Sequence, residues 1–302
     1  METPQPGIFV EGSSHHLYLE FSLQVGLDRA TTENTLLAAI ALHQRQQGKA
    51  PNLVIAFGAD LWARMAPSQS PMALRPFEPI EGPDGVSAPS TQHHVLFWIH
   101  GPGIDDNLDL ALEIQRTLSP IARLELDERG FTYHDQRDLT GFIDGTENPQ
   151  GDDRLAVALV PEGETGEAGA FVLTQRWVHD LDAFHALPTE EQERVIGRTK
   201  PDSVQLKGDA MPSDSHVSRA DVTVDGVAQA IYRRSAPFGR VNENGLYFIA
   251  FACELSRFDI QLARMFGTTG DGLSDRLLRF SKPVTGSYWF APSMEALENL
   301  SW

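Results

Sequence analysis

Three short stretches carry residue types that can do chemistry together. The first is Gly141-Phe142-Ile143-Asp144-Gly145-Thr146-Glu147-Asn148-Pro149. It sets one carboxylate between glycines, which let the backbone come close to a bound group. A lone Asp-Gly reads more simply as a turn with an Asx hydrogen bond, and the length of the string weakens that reading. The second stretch is Ser213-Asp214-Ser215-His216-Val217-Ser218-Arg219-Ala220-Asp221, with a single histidine. Histidine ligates metals and cofactors, yet in a chain with ten of them many only solvate or cap. His15-His16 and His93-His94 read as surface pairs of that kind. The third stretch is Ile231-Tyr232-Arg233-Arg234-Ser235-Ala236-Pro237-Phe238-Gly239. It reads as a strand end followed by a proline turn. A strand alternates its faces, so only one of Arg233 and Arg234 can point into a shared pocket.

The elements around these stretches follow a repeated order. Leu17 to Val25 alternates apolar and polar residues, a half-buried strand. A helix follows from about Thr32 to Gln46, with Leu36, Leu37, Ile40 and Ala41 on one side. Asn52 to Phe57, Val95 to Ile99 and Ile121 to Leu126 read as strands, and a helix that Asp105 can cap carries Leu108, Leu110, Leu112, Ile114 and Leu118. Residues 66–91 are rich in Pro, Ser and Gly and read as a long loop. The order β-α-β-β-α-β is that of a ferredoxin-like unit. The second half repeats it. Strands fall at Ala170 to Trp177, Val227 to Tyr232, Leu246 to Ala252 and Tyr288 to Phe290, with helices beginning at Thr189 and Ser256. The fold class is therefore α+β, with two ferredoxin-like halves, residues 1–135 and 136–302, whose antiparallel sheets pack together. Leu139 to Asp153 and Lys200 to Asp225 are insertions on this scaffold. Long polar insertions tend to carry function, and these two hold Asp144 and His216.

Composition narrows the partners. The formal net charge is −18, which repels phosphate backbones and anionic lipid and argues against nucleic-acid or membrane-surface binding. The apolar run from Leu36 to Leu42 is far too short to span a bilayer. The one cysteine, Cys253, excludes an intrachain disulfide and a CxxC metal site, and it sits in an apolar run as a small buried hydrophobe. Met1 to Val10 has no basic region, twin arginine or apolar core, so no export signal and a cytoplasmic location are expected.

The first stretch resembles the signature of the dye-decolorising peroxidase family, whose core is Gly-x-x-Asp-Gly. In that family the axial haem histidine lies in a His-x-x-Arg segment between the aspartate motif and a downstream arginine. His216-Val217-Ser218-Arg219 matches in pattern and position. The resemblance makes Arg233 the distal arginine, on its spacing before Ala236-Pro237-Phe238-Gly239, and Ser235 a polar neighbour of the peroxide pocket. Some relatives have asparagine at the position of Ser235. Arg198 resembles the arginine that meets a haem propionate, and Asp275 the carboxylate behind the axial histidine. Helix-end arginines and surface helical acids are commonplace alternatives for these two. Phe171 to Trp177, Val195 to Lys200, Phe248 to Glu254 and Thr285 to Pro292 also read like this family, so the resemblance spans almost the whole chain.

The implied activity is that of a haem peroxidase of the cytoplasmic B-type branch, with haem b held mainly by the second half. It reduces hydrogen peroxide via a ferryl intermediate and oxidises dyes, phenols or other small one-electron donors. Asp144 would relay a proton, Arg233 would stabilise developing negative charge, and His216 would ligate the iron. A mildly acidic optimum is expected, since the reference aspartate pKa is about 3.9. Trp62, Trp98, Trp177, Trp289, Trp302 and the five tyrosines can pass electrons to the surface; most aromatics only pack, so none is nominated. Family members commonly self-associate, which implies a homodimer or larger homo-oligomer. The alternative is a haem-handling protein for storage, delivery or iron release, for which an acid–base group paired with a cation has no use. A chlorite-dismutating type would lack the Gly-x-x-Asp-Gly string.

Overall fold

A computed structural model describes residues 2–300; Trp302, one of the aromatics considered above, lies outside them. The N-terminal half runs β1 (His15–Leu23), α1 (Arg29–Gln46), β2 (Asn52–Phe57), α2 (Ala59–Met65), the small hairpin β3 (Ile80–Glu81) and β4 (Ser87–Ala88), then β5 (Val95–Gly101), α3 (Ile104–Leu118) and β6 (Ala122–Phe131). The C-terminal half runs α4 (Asp153–Ala158), β7 (Ala170–His179), α5 (Leu181–His185), α6 (Thr189–Ile196) and α7 (His216–Ala220). After these come the hairpin β8 (Thr223–Val224) and β9 (Val227–Ala228), then β10 (Tyr232–Arg233), β11 (Ala236–Arg240), β12 (Glu243–Ala252), α8 (Ser256–Met265), β13 (Ser281–Pro283), β14 (Ser287–Ala291) and α9 (Met294–Glu298).

Both halves have the same strand order, β2-β5-β1-β6 and β10-β12-β7-β14. In each, the second strand lies at one edge and the first strand between the third and fourth, as a ferredoxin-like unit requires. All these pairings are antiparallel. The two sheets pack face to face as expected, and they are also joined at one edge. The pairing of Phe57 in β2 with Phe290 in β14 joins them into one sheet of ten strands. Each sheet still turns one face to the other, and period-2 alternation sorts the side chains. Tyr18, Val54, Ala56 and Trp98 meet Val172, Tyr247, Ile249 and Trp289 between the inner faces. Leu17, Leu19, Phe21 and Phe97 pack outwards against Leu36, Ile40, Leu110 and Ile114 of α1 and α3. Arg176 of β7 also ties the halves together. Its Nε donates to Glu128 of β6 at 2.6 Å, its Nη2 pairs with Glu243, and its guanidinium lies 4.1 Å from the Phe238 ring centroid.

Several local expectations shift. Asp28 caps α1 by accepting from Thr31 N–H at 2.9 Å, so the helix starts earlier than Thr32. Its buried side is Leu36, Ala39, Ile40, Leu42 and His43, while Leu37 is exposed. β1 begins at His15, ahead of Leu17, and alternation then places His16 inside. His16 is 9% exposed and accepts from Trp98 Nε1 at 3.2 Å. It is not a surface residue; burial and the nearby Arg234 lower its pKa to about 4. His93 and His94 are half-buried. Cys253 is buried, as expected. No helix among the described residues is long and apolar enough to cross a membrane.

Glu20 is fully buried between the inner faces. Burial raises its carboxyl from 4.5 to about 7, although hydrogen bonds from Tyr247 and Thr174 oppose the rise. A raised carboxyl stabilises the fold fully below its unfolded pKa and loses that contribution as pH rises through the folded value. Wild-type stability should therefore fall relative to Glu20→Gln from about pH 4.5 to just above 7, by on the order of 3 kcal/mol. Urea unfolding of both proteins across that range checks this; parallel pH profiles would contradict it.

Candidate active site

The outer face of β7 and β12 is roofed by α6, α7, α8 and the Gly141–Pro149 loop. Between them lies a cavity of about 360 Å³. Its walls are mostly apolar: Leu173 and Trp177 from β7, Leu246 and Phe248 from β12, and Phe258 and Leu262 from α8. Polar groups are concentrated at a few places. His216, Asp275, Asp144, Arg233 and Arg198 all line this one cavity, although they come from segments far apart in the chain.

His216 is the first residue of α7, which Ser215 caps through Ser218 N–H. Its Nδ1 donates to Asp275 Oδ2 at 2.7 Å. Asp275 is 1% exposed, and its other oxygen accepts from Leu277 N–H at 2.8 Å, so the carboxylate is held at both oxygens. Nε2 has no protein partner among the described residues. Two further ion pairs brace the same segments. Arg276 forms a fork on Asp214 at 2.6 and 3.0 Å. Arg219, the arginine of His-x-x-Arg, is 2% exposed and bonds Asp271 at 2.7 and 3.3 Å. It does not line the cavity. It anchors α7 to the turn after α8, donating also to Arg264 O at 2.9 Å.

Asp144 sits in a turn between Gly141 and Gly145, with φ of 90° and 76°. Gly145 has no heavy atom near its missing Cβ, so it serves the left-handed backbone rather than a close approach. Asp144 is half-buried and lines the cavity. Burial raises its pKa, the Arg233 cation pulls it back, and the Asp138 carboxylate adds to the rise. Arg233 is located by Asn148 of the same motif loop. Asn148 Oδ1 accepts from Arg233 N–H at 2.9 Å, and its Nδ2 donates to Arg233 O at 2.7 Å. One asparagine thus registers the loop against β10. Arg234 points the other way, over Trp98, and donates to Ile8 O and Val10 O.

Ser235 is not in the main cavity. It lines an adjoining polar pocket of about 220 Å³ that shares Asp144, Gly145 and Arg233. Its hydroxyl accepts weakly from Ile249 N–H at 3.4 Å. Arg198 lines the cavity, but its Nη1 donates to Ser203 O at 2.7 Å and its Nη2 pairs with Glu147. One cluster was missed from sequence. His179 Nδ1 meets Ser281 Oγ at 2.8 Å, and its Nε2 meets Asp138 Oδ1 at 3.2 Å. Burial pushes Asp138 up, but His179 and Thr140 outweigh it and hold the carboxyl at about 2. Nothing in the residue types around Asp138 or His179 marks them among 42 acids and ten histidines. Asn148 was legible only as part of its motif.

The N-terminal model of the Dyp-type peroxidases matches residues 5–132, and the C-terminal model matches residues 135–296. The chain belongs to the Dyp-type peroxidase family. A dye-decolorizing peroxidase of Mycobacterium tuberculosis is 34% identical over 284 residues, covering 91% of this chain and 84% of the relative. One from Rhodococcus erythropolis is 33% identical over 305 residues, covering 98% and 88%. A DypB variant of Rhodococcus jostii in complex with heme superposes with a TM-score of 0.91 at 36% identity, covering 99% of both chains. A dye-decolorizing protein from V. cholerae gives 0.90 at 38% identity, covering 99% and 100%. The likeness to DypB is consistent with the B-type branch. The activity implied by the motifs is that of the family: a peroxidase, using peroxide and a reductant. The haem-handling alternative is not favoured, since both peroxidase domains match along nearly the whole chain.

Asn148→Ala should remove two hydrogen bonds and leave Arg233 N–H without its acceptor, costing about 2 kcal/mol. Peroxidase turnover should fall with it, because Arg233 loses its register. Chemical denaturation and steady-state assays check both; unchanged stability would show that water replaces the amide.

Proposed function

We propose that this cavity holds haem b, with His216 Nε2 as the axial ligand and Asp144 and Arg233 serving the peroxide. The carrying observation is that His216, fixed by Asp275, shares one largely apolar cavity with a half-buried acid and a cation. The donor set fits the cofactor. A neutral imidazole with one nitrogen engaged offers the other to iron, and apolar walls suit a flat macrocycle. Gln175 Nε2 is buried in the cavity wall with no partner among the described residues, a donor suited to a bound acceptor. Bound haem supplies the iron at which peroxide is cleaved and the electrons for that cleavage.

The chain's own groups do the rest. Asp275 accepts the Nδ1 proton of His216, which makes the imidazole a stronger donor. Asp144 takes the proton from the inner oxygen of hydrogen peroxide and returns it to the outer oxygen, which leaves as water. Arg233 remains protonated and stabilises the negative charge on the departing oxygen. Ser235 borders the polar pocket behind this pair. Arg198 offers its guanidinium to a propionate, sharing it with Glu147.

The same reading divides the chain into halves of residues 1–135 and 136–302, with the cofactor in the second. The repeated strand order and the ranges of the two family models support this. A cytoplasmic location and a homodimer or larger homo-oligomer complete the proposal.

His216→Ala should lose haem or bind it only with added imidazole. Wild-type occupancy with an unchanged absorption spectrum would reject the ligand. Arg233→Leu should slow the reaction with peroxide more than Asp144→Ala, because water can carry a proton but cannot replace a permanent cation. One oriented donor is worth roughly 2.7–4 kcal/mol, and a proton relay about a hundred- to ten-thousand-fold in rate. Stopped-flow mixing of haem-loaded proteins ranks them; a slower Asp144→Ala reverses the order.

The relay must both accept and donate, so it works best near its own pKa, which burial raises above 3.8. The pH optimum should lie on the acid side of neutrality but above about pH 4, and Asp144→Asn should flatten the profile. An identical profile in that variant would show that another group controls it.

A further inference from the structure

The two inner faces of the sheet meet at a pair of stacked phenols. Tyr18 of β1 and Tyr247 of β12 have ring centroids 3.8 Å apart and planes at 16°, and both are fully buried. They differ at the hydroxyl. Tyr247 donates to Glu20 Oε1 at 2.7 Å, whereas the Tyr18 hydroxyl has no partner among the described residues. Glu20 is itself fully buried. Its second oxygen has no hydrogen-bond partner and lies 3.9 Å from His93 Nε2, on a side chain that reaches solvent.

Removing an electron from a buried phenol while leaving its proton creates a cation in a medium of low dielectric, which is expensive. The loss becomes favourable where a base already sits on the hydrogen bond. Three tyrosines donate to a carboxylate: Tyr232 to Glu11 at 3.0 Å, Tyr288 to Asp259 at 2.9 Å, and Tyr247 to Glu20. Asp259 is paired with Arg75 at 2.7 Å, and Glu11 faces Arg154 at 3.7 Å. A cationic neighbour makes a carboxylate a weaker base. Glu20 has no arginine or lysine partner among the described residues, and burial strengthens it as a base. Of the three pairs, Tyr247–Glu20 is the one built to take up a phenolic proton.

Its position suits an electron donor. Tyr247 stands between Leu246 and Phe248, and both line the cavity on the other side of β12. Beyond it, Tyr18 lies 6.4 Å from Trp98 and 6.1 Å from His16, and His16 borders the polar pocket open to solvent. A run of stacked rings thus leads from the sheet behind the cavity towards the surface.

We propose that Tyr247 is a redox-active residue of this peroxidase, with Glu20 as its proton acceptor. The proposal rests on haem occupying the cavity. The Tyr247 O–H bond breaks, the electron goes to the cofactor oxidised by peroxide, and the proton goes to Glu20 Oε1. A neutral tyrosyl radical remains. Where Glu20 already carries a proton on Oε2, that proton leaves towards His93 as Oε1 is protonated. A one-electron donor at the surface then reduces the radical through the stacked rings, and the phenol recovers its proton from Glu20. Tyr18 has no base, so the hole does not settle there.

Freeze-quench electron paramagnetic resonance of the haem-loaded protein after one equivalent of hydrogen peroxide tests this. Tyr247→Phe keeps the ring and its stacking, and Glu20→Gln keeps the shape of the acid. The wild type should show a tyrosyl signal that falls to background in Tyr247→Phe and drops severalfold in Glu20→Gln. Tyr18→Phe, Tyr232→Phe and Tyr288→Phe should retain it. Absorption spectra of the same samples should show the cofactor responding to peroxide in every variant. A signal that survives Tyr247→Phe overturns the proposal, as does a wild type whose cofactor reacts without a tyrosyl radical. A wild-type cofactor that does not respond to peroxide would instead overturn the cavity assignment, and the relay with it.

Discussion

The hydrogen bond from His216 Nδ1 to Asp275 is the contact around which the site is organised. An imidazole has two nitrogens, and engaging one decides what the other can do. The bond needs a buried carboxylate, which is tolerable only because Leu277 N–H holds its second oxygen. It also needs two irregular segments held in register. The Arg276–Asp214 and Arg219–Asp271 ion pairs do this on either side, so two ion pairs and the histidine hydrogen bond stitch residues 214–219 to residues 271–276. Arg219 is 2% exposed, so removing Asp271 would leave a buried charge without its partner.

At Asp144 and Arg233 the logic is different. The acid is half-buried and its pKa is raised, while the cation beside it opposes the rise. A carboxyl poised in this way can exchange a proton in either direction. The geometry comes from backbone contacts rather than from a direct ion pair. Asn148 binds both backbone groups of Arg233, so the loop carrying the acid positions the cation as well.

Much of this was legible in the sequence because the information was local. Period-2 alternation marked the strands, and both βαββαβ units emerged in their correct order. Asp144, Arg233, His216, Asp275 and Arg198 were named through the family resemblance, and all line one cavity. What escaped depends on contacts between distant segments. The edge pairing of Phe57 with Phe290 has no signature in either strand alone. His16 looked like a surface residue because the Tyr18–Glu20 face of β1 was read as the polar side of a half-buried strand, whereas that face is buried against the second half. Asp138, His179 and Ser281 are unremarkable in their own segments and acquire meaning only together. Ser235 was named through the family resemblance as a polar neighbour of the peroxide pocket, and it lines the adjoining pocket that shares Asp144 and Arg233.

The account stands on the claim that one cavity presents His216 to one side of a haem and the Asp144–Arg233 pair to the other. A crystal structure of the haem-loaded protein measures this directly. The expected result is iron bonded to His216 Nε2, with Asp275 still on Nδ1 and the opposite face of the macrocycle open towards Asp144 and Arg233. Iron ligated by any other side chain, or Asp144 and Arg233 found on the same face as His216, would contradict it.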